Sequence, residues 1–213
     1  MNAQRIFDLA LALLLLPLVL PAIAIVALVV RLRDGSPVLY GAERMRTPDQ
    51  AFTLWKFRTM TPDGADSGVS GGDKAGRITA TGRILRRTRL DELPQIWNIL
   101  RGDIGFVGPR PPLRQYVERF PELYAAVLQS RPGITGLATL VFHRHEARLL
   151  AEAPDAAATD EVYCRRCIPR KARLDLIWQA RRSLCFDIRL ILLTAGVVLG
   201  HRGGAGRRRR RRV

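Results

Sequence analysis

From Leu9 to Val30 the chain reads LALALLLLPLVLPAIAIVALVV, 22 residues in succession without a charged or polar side chain. As one helix at ~1.5 Å per residue the run would reach about 33 Å, enough to cross the hydrocarbon core of a bilayer. A cleaved signal peptide has a shorter apolar core, ~7–15 residues, and a small-residue cleavage site. Here the run passes straight into Arg31 and Arg33. A core helix apolar on every side is out of scale with a chain of 213 residues. A place in a membrane is therefore expected. Pro17 and Pro21 each remove a backbone donor and crowd the preceding turn, so a kink or break is expected near the middle. Positive charge flanks both ends, with Arg5 before and Arg31 and Arg33 after. Cationic flanks prefer the cytoplasmic side. A kinked spanning helix exports one of them, and a re-entrant helix keeps both inside. Composition leaves both geometries open; the two flanks and two prolines together lead us to expect the re-entrant anchor.

Charge narrows the partners. Lys and Arg total 35 against 19 Asp and Glu, a net +16. Arg202 and the unbroken run Arg207–Arg212 supply seven of these charges, so the body remains basic without them. An anionic partner follows: phosphates, nucleic acid or an acidic membrane surface. A hydrophobic content of 47% excludes a wholly disordered chain. Three cysteines exclude a disulfide scaffold. Cys164 and Cys167 form a CRRC motif downstream of His143 and His145, which together could offer four zinc ligands. A single CxxC at this spacing matches no standard finger, and reduced thiols without metal are expected.

Beyond Arg33 the composition becomes that of a soluble domain. Asp34-Gly35-Ser36-Pro37 is turn chemistry, and Val38–Tyr40 and Phe52–Met60 read as short strands. Thr61–Gly76 reads as a loop. Thr81–Leu100 reads as a helix, with Leu93, Ile96, Trp97 and Leu100 on one buried face. Gly102–Pro112 and Arg131–Gly136 read as ordered loops, Pro121–Ser130 as a short amphipathic helix, and Leu174–Gly200 as a helix. Its apolar part, Leu190–Leu199, is too short to span and suits a membrane surface or the core. The expected class is α+β, mainly helical: an N-terminal re-entrant membrane helix (1–33), a small domain with interfacial amphipathic helices (34–200) and an Arg-rich tail (201–213).

The densest chemistry lies between Arg83 and Arg110. Arg83, Arg86, Arg87 and Arg89 precede the adjacent acids Asp91 and Glu92, and the chain returns through Gly105, Gly108 and Arg110. The structural reading is that Asp91 caps a helix, with Pro94 in its first turn and Glu92 complementing the dipole. The functional reading is that arginines hold phosphate groups by charge-assisted hydrogen bonds. One carboxylate then attacks phosphorus while its neighbour holds Mg²⁺.

Several segments carry a resemblance: KFRTM (Lys56–Met60), RLDELPQIWNILRGDIGFVGPRP (Arg89–Pro111), RPGITG (Arg131–Gly136), IPRK (Ile168–Lys171) and SLCFD (Ser183–Asp187). Together they resemble the bacterial sugar transferase family, the small monotopic polyprenyl-phosphate phosphoglycosyl transferases. The chain looks like their minimal form. The resemblance implies a Mg²⁺-dependent transfer of sugar-1-phosphate from a UDP-sugar to polyprenyl (undecaprenyl) phosphate, releasing UMP, as the first membrane step of surface glycan or exopolysaccharide assembly. It implies Asp91 as nucleophile, through a covalent phospho-sugar aspartyl intermediate, and Glu92 as the metal-binding member. It places Lys56, Arg58, Arg86, Arg110 and Arg131 around the substrate. It also implies a bacterial inner (cytoplasmic) membrane, with the catalytic domain on the cytoplasmic face and anionic lipids as neighbours. The family's helix breaks at a proline, which Pro21 matches, although Leu20 stands where Ser is frequent. Leu137-Ala138-Thr139 replaces the frequent Trp-Ala-Gln after RPGITG, in a region expected to shape the choice of sugar.

The rival from another class is a non-enzymatic basic protein binding membranes or nucleic acid, motivated by Arg207–Arg212. Aromatic residues make up only 7%, few for stacking on bases, and no nucleic-acid-binding motif accompanies the run. No nucleic-acid partner is expected.

Overall fold

The computed structural model describes residues 3–62 and 76–204. The arginine run 207–212 and most of the expected loop after Thr61 lie outside the described residues. The architecture is α+β and mainly helical, as expected.

Helix α1 (Ala3–Arg33) is helical through both prolines, without the break expected there. Apolar residues on both sides of the prolines pack on the body, which offsets the lost hydrogen bonds. Ala12, Leu16, Val19, Ile23, Val26 and Val30 recur at spacings of four and three and pack on the body. Leu14, Leu18, Leu28 and Leu32 face outward, with Leu14 and Leu32 75% and 76% exposed. At one end Arg5 donates to the carbonyls of Ile99 (2.5 Å) and Leu100 (2.7 Å), and buried Asp8 accepts from the amide of Phe106 (3.1 Å). At the other end the Asp34 carboxylate accepts from the hydroxyls of Thr79 (2.9 Å) and Thr81 (3.1 Å). The helix is long and apolar enough to cross a membrane, yet it lies along the body and is bonded to it at both ends.

The re-entrant anchor expected from the sequence keeps both ends of the helix on one side of a bilayer. A cysteine introduced at residue 2 is expected to react with a membrane-impermeant reagent from the same side as Cys185, which is exposed at the start of the last helix. Labelling from opposite sides would establish a spanning helix.

Strands β1 (Leu39–Met45) and β2 (Ala51–Phe57) form an antiparallel hairpin, with Arg44 opposite Phe52 and Tyr40 opposite Lys56. The first strand runs five residues beyond its expected end at Tyr40, because cross-strand pairing outweighs the weak strand preference of Gly41, Glu43 and Arg44. The second stops at Phe57 instead of Met60: the Thr59 carbonyl accepts from the amide of Thr79, which turns the chain toward α2 (Ala80–Thr88).

The helix expected over Thr81–Leu100 is broken. Arg89 takes a left-handed conformation (φ 59°) that ends α2. A 3-10 turn, Leu90–Glu92, follows, and then α3 (Gln95–Arg101), with Pro94 rather than Asp91 at its N-cap position. The changed phase leaves Trp97 55% exposed and buries Gln95, Ile96, Asn98 and Ile99. Asn98 docks α3 on the hairpin, accepting from the Trp55 amide (3.1 Å) and donating to the Thr53 carbonyl (2.8 Å).

The two glycine-rich loops meet. Strands β3 (Gly105–Val107) and β4 (Gly133–Thr135) pair in parallel, Gly105 with Gly133 and Val107 with Thr135. A Cβ on Gly133 would lie 2.2 Å from the Gly108 nitrogen, so the contact is backbone against backbone and only glycine fits. Between these strands run α4 (Arg114–Arg119) and α5 (Pro121–Val127). After them come α6 (Leu137–Ala151), α7 (Ala156–Val162), a π-helical turn (Tyr163–Cys167) and α8 (Ile168–Ala180). The last helix, α9 (Leu184–Gly204), is separate from α8, where one helix was expected from Leu174. The Trp178 indole donates to Asp187 (2.8 Å) across the break, and Gln4 of α1 reaches the same carboxylate (3.2 Å). In α9 Leu190 is buried while Leu192 and Leu193 are exposed, so its apolar stretch serves the core on one side only.

Candidate active site

The turn Leu90–Glu92 opens on a cavity of about 810 Å³. Its walls include Lys56 from β2, Arg86 from α2, Arg110 from the loop after β3, and Leu15 and Val19 from α1. Asp91 and Glu92 are each only 8% exposed.

The two acids have opposite surroundings. Glu92 Oε1 meets Arg110 at 2.7 Å, Arg89 at 3.3 Å and Lys56 at 3.5 Å. Burial alone would raise its carboxyl; Arg110, Lys56 and Arg89 overcome that and hold it well below the usual carboxylate range. Asp91 Oδ1 is buried with no hydrogen-bond partner. Burial, and then the neighbouring charge of Glu92, raise the Asp91 carboxyl against the pull of Lys56, Arg89 and Arg86. An unpartnered buried carboxylate oxygen is costly unless a ligand uses it. Adjacent carboxyls pushed apart in this way mark a division of chemical roles. The capping role is absent: α3 has no side-chain cap, and Asp91 sits in the turn before it.

Of the seven expected site residues, five line the cavity: Lys56, Arg86, Asp91, Glu92 and Arg110. Arg86 is oriented by Thr59 Oγ1 at 3.0 Å. Arg58 and Arg131 do not line the cavity. Arg58 lies just past the end of β2 and donates to the carbonyls of Asp34 and Gly35 (2.9 Å for Gly35), fastening the exit of α1. Arg131 lies among Arg5, Arg46 and Asp8 near the other end of that helix. Arg44 was not expected and lines the cavity, with an unpartnered buried Nε. Its signal was the hairpin register: it stands opposite Phe52 on the face that carries Leu54 and Lys56. Glu146 and Lys171, paired at 2.7 Å, and Asp175 line a second wall built by α6 and α8. Lys171 belongs to the IPRK segment, which sequence alone left without a role.

Burial, reinforced by Arg110 and opposed by Glu92, lowers Lys56 to about 8. The free protein therefore loses one cavity cation as pH rises through that value. Affinity for an anionic ligand such as UDP is expected to fall there, and Lys56→Arg is expected to remove the fall because a guanidinium stays charged. Titration calorimetry between pH 7 and 9 reads both.

Glu92 is the residue expected to hold Mg²⁺, an ion that takes one or two carboxylates and fills its remaining positions with phosphate oxygens and water, and its buried, ionised carboxylate at the cavity wall is a donor of that kind. Cys164 and Cys167 are buried in the π-helical turn. Among the described residues no group of three or more His, Cys, Asp or Glu is placed to hold a metal.

The bacterial sugar transferase family model matches residues 1–201. The uncharacterized sugar transferase EpsL of Bacillus subtilis (strain 168) is 42% identical over 140 residues, covering 66% of this chain and 69% of that protein. The undecaprenyl-phosphate glucose phosphotransferase of Komagataeibacter xylinus is 34% identical over 202 residues, covering 91% of this chain and 35% of that protein. The UDP-glucose:undecaprenyl-phosphate glucose-1-phosphate transferase of Caulobacter vibrioides is 42% identical over 142 residues, covering 63% and 52%. The chain thus spans about a third to a half of the length of the latter two. With the family model matched over nearly its whole length, the chain belongs to the bacterial sugar transferase family.

Proposed function

We propose that the protein transfers a sugar-1-phosphate from a UDP-sugar to polyprenyl phosphate by way of Asp91, at the cytoplasmic face of the bacterial inner membrane. The observation that carries this reading is the unpartnered, buried Oδ1 of Asp91 in a cation-lined cavity. That oxygen attacks the phosphorus bearing the sugar. The bond from this phosphorus to the bridging oxygen breaks, and UMP leaves with the electron pair. A phosphate oxygen of the polyprenyl phosphate then attacks the same phosphorus and the Asp91–phosphorus bond breaks, giving polyprenyl-diphosphate-sugar and free carboxylate. Splitting the transfer in two gives ping-pong kinetics. Lys56, Arg86, Arg89 and Arg110 bind the diphosphate and stabilise charge on the transferring group. Glu92 stays ionised and orients Lys56, Arg89 and Arg110. Mg²⁺ held by Glu92 would neutralise phosphate oxygens. The relatives' names specify glucose, galactose and N-acetylgalactosamine, and the last two belong to proteins of Erwinia amylovora and Aeromonas hydrophila. The sugar therefore varies across the family.

The test is intact-protein mass spectrometry after mixing with a UDP-sugar and Mg²⁺ but no lipid acceptor. The expected result is a sugar-phosphate adduct on Asp91 with one UMP released per chain, lost on chelation. UMP release that begins only when the lipid acceptor is added would overturn the covalent route.

A further inference from the structure

The cavity has two polar regions of opposite character. Around the acid pair stand six cations, Arg44, Lys56, Arg86, Arg87, Arg89 and Arg110, against two carboxylates, a surplus suited to a diphosphate. On the α6–α8 wall one cation, Lys171, stands with two carboxylates, Glu146 and Asp175. This wall has no positive surplus to attract phosphate. It offers donors and acceptors side by side: Lys171 Nζ lies 2.7 Å from Glu146 Oε1 and 3.3 Å from the Tyr163 hydroxyl. Asp175 is 6% exposed and accepts from the amide of Ala138.

We infer that Glu146, Lys171 and Asp175 form the subsite that recognises the hydroxyl groups of the sugar ring, and so set which UDP-sugar is used. The inference rests on the transfer reading above and names a part of the same cavity. Neutral polyols are read by mixed carboxylate and ammonium groups, since a hydroxyl both donates and accepts. Arg110 joins the two regions, lying within the field of both Glu92 and Glu146. A ligand with a diphosphate at the first region thus has its sugar within reach of the second. Burial pushes the Asp175 carboxyl up to about 7 against the pull of Lys171, so this group lacks the full solvation that a hydroxyl donor would restore. Thr139 also lines the cavity. It stands where the frequent pattern after RPGITG has Gln. Sugar choice and local sequence change therefore meet on one wall.

The test uses the full chain in detergent with Mg²⁺, polyprenyl phosphate and a panel of UDP-glucose, UDP-galactose, UDP-N-acetylglucosamine and UDP-N-acetylgalactosamine, with UDP binding measured separately. Asp175→Asn is expected to leave the Kd for UDP, which lacks the transferred sugar, within about twofold. The ratio of kcat/KM between the best sugar and its C4 epimer should shift about tenfold or more, the scale of one hydrogen bond to a charged group. An equal loss on every sugar, or weakened UDP binding, would show a wall that only ties α6 to α8 and would overturn the subsite. Should Asp175→Asn fail to fold, Glu146→Gln, which keeps the shape of the pair, carries the same expectation. Absence of UMP release from the unmodified protein with every sugar would instead overturn the transfer reading, and the subsite with it.

Discussion

Asp91→Asn is expected to lose turnover roughly ten-thousand-fold while melting at the same temperature as the unmodified protein or higher. The first half follows from removing the attacking oxygen. The second follows from the raised carboxyl of Asp91: burial and Glu92 make its ionised form unfavourable in the folded state. A group whose folded value lies above its unfolded one stabilises the fold fully below the unfolded value, 3.8 here, and loses that contribution as pH rises through the folded value. At neutral pH the ionised side chain therefore weighs against the fold, and the neutral amide relieves it. A stability gain joined to a loss of function is the mark of a strained functional group. A side chain with a structural task gives the reverse, so near-normal turnover with a lowered Tm would return Asp91 to a structural role. Thermal melts and UMP release on the same preparation decide the matter.

Gly133→Ala is expected to have the largest effect on stability, about 3 kcal/mol, at the upper end of overpacking costs. Its Cβ would meet the Gly108 nitrogen at 2.2 Å, and no flexible side chain intervenes to give way. For a chain of this size that loss lowers Tm by roughly 10 °C. Turnover below the transition is expected to fall as well, because Arg110 follows Gly108 by two residues and its hold on Glu92 depends on where that loop sits. A melt within a degree or two of the unmodified protein would show that the strands separate without cost.

Much of the acid-pair end of the cavity was legible in the sequence. The stretch Arg89–Pro111 carries both acids and Arg110, and KFRTM supplies Lys56. What sequence did not convey was direction. Arg58 sits two residues past Lys56, which in a continuing strand would share its face, but β2 ends at Phe57 and the side chain turns to the exit of α1. Arg131 lies at the tight loop contact, and its side chain is placed beside Asp8 and Arg5. Arg44 was hidden because the first strand was read as ending at Tyr40; only pairing with β2 reveals the face it shares with Lys56. The break at Arg89 was equally hidden, since Thr81–Leu100 has helical periodicity on both sides of it. A left-handed residue other than glycine gives little warning in sequence. The α6–α8 wall draws its groups from residues up to 29 positions apart, and only the packing of α6 on α8 brings them together.

Helix α1 turns toward the outside the same kind of surface that it turns toward the cavity: Leu15 and Val19 line the site, while Leu14 and Leu18 beside them are bare. For the proposed transfer, the wall of the reaction chamber is thus continuous with the lipid phase. An acceptor confined to a leaflet reaches such a chamber by sideways diffusion and never has to be extracted into water. The relevant concentration is then two-dimensional. Diluting polyprenyl phosphate with inert lipid at constant total amount should slow the enzyme, whereas adding water to the same vesicles should leave the lipid-dependent step unchanged.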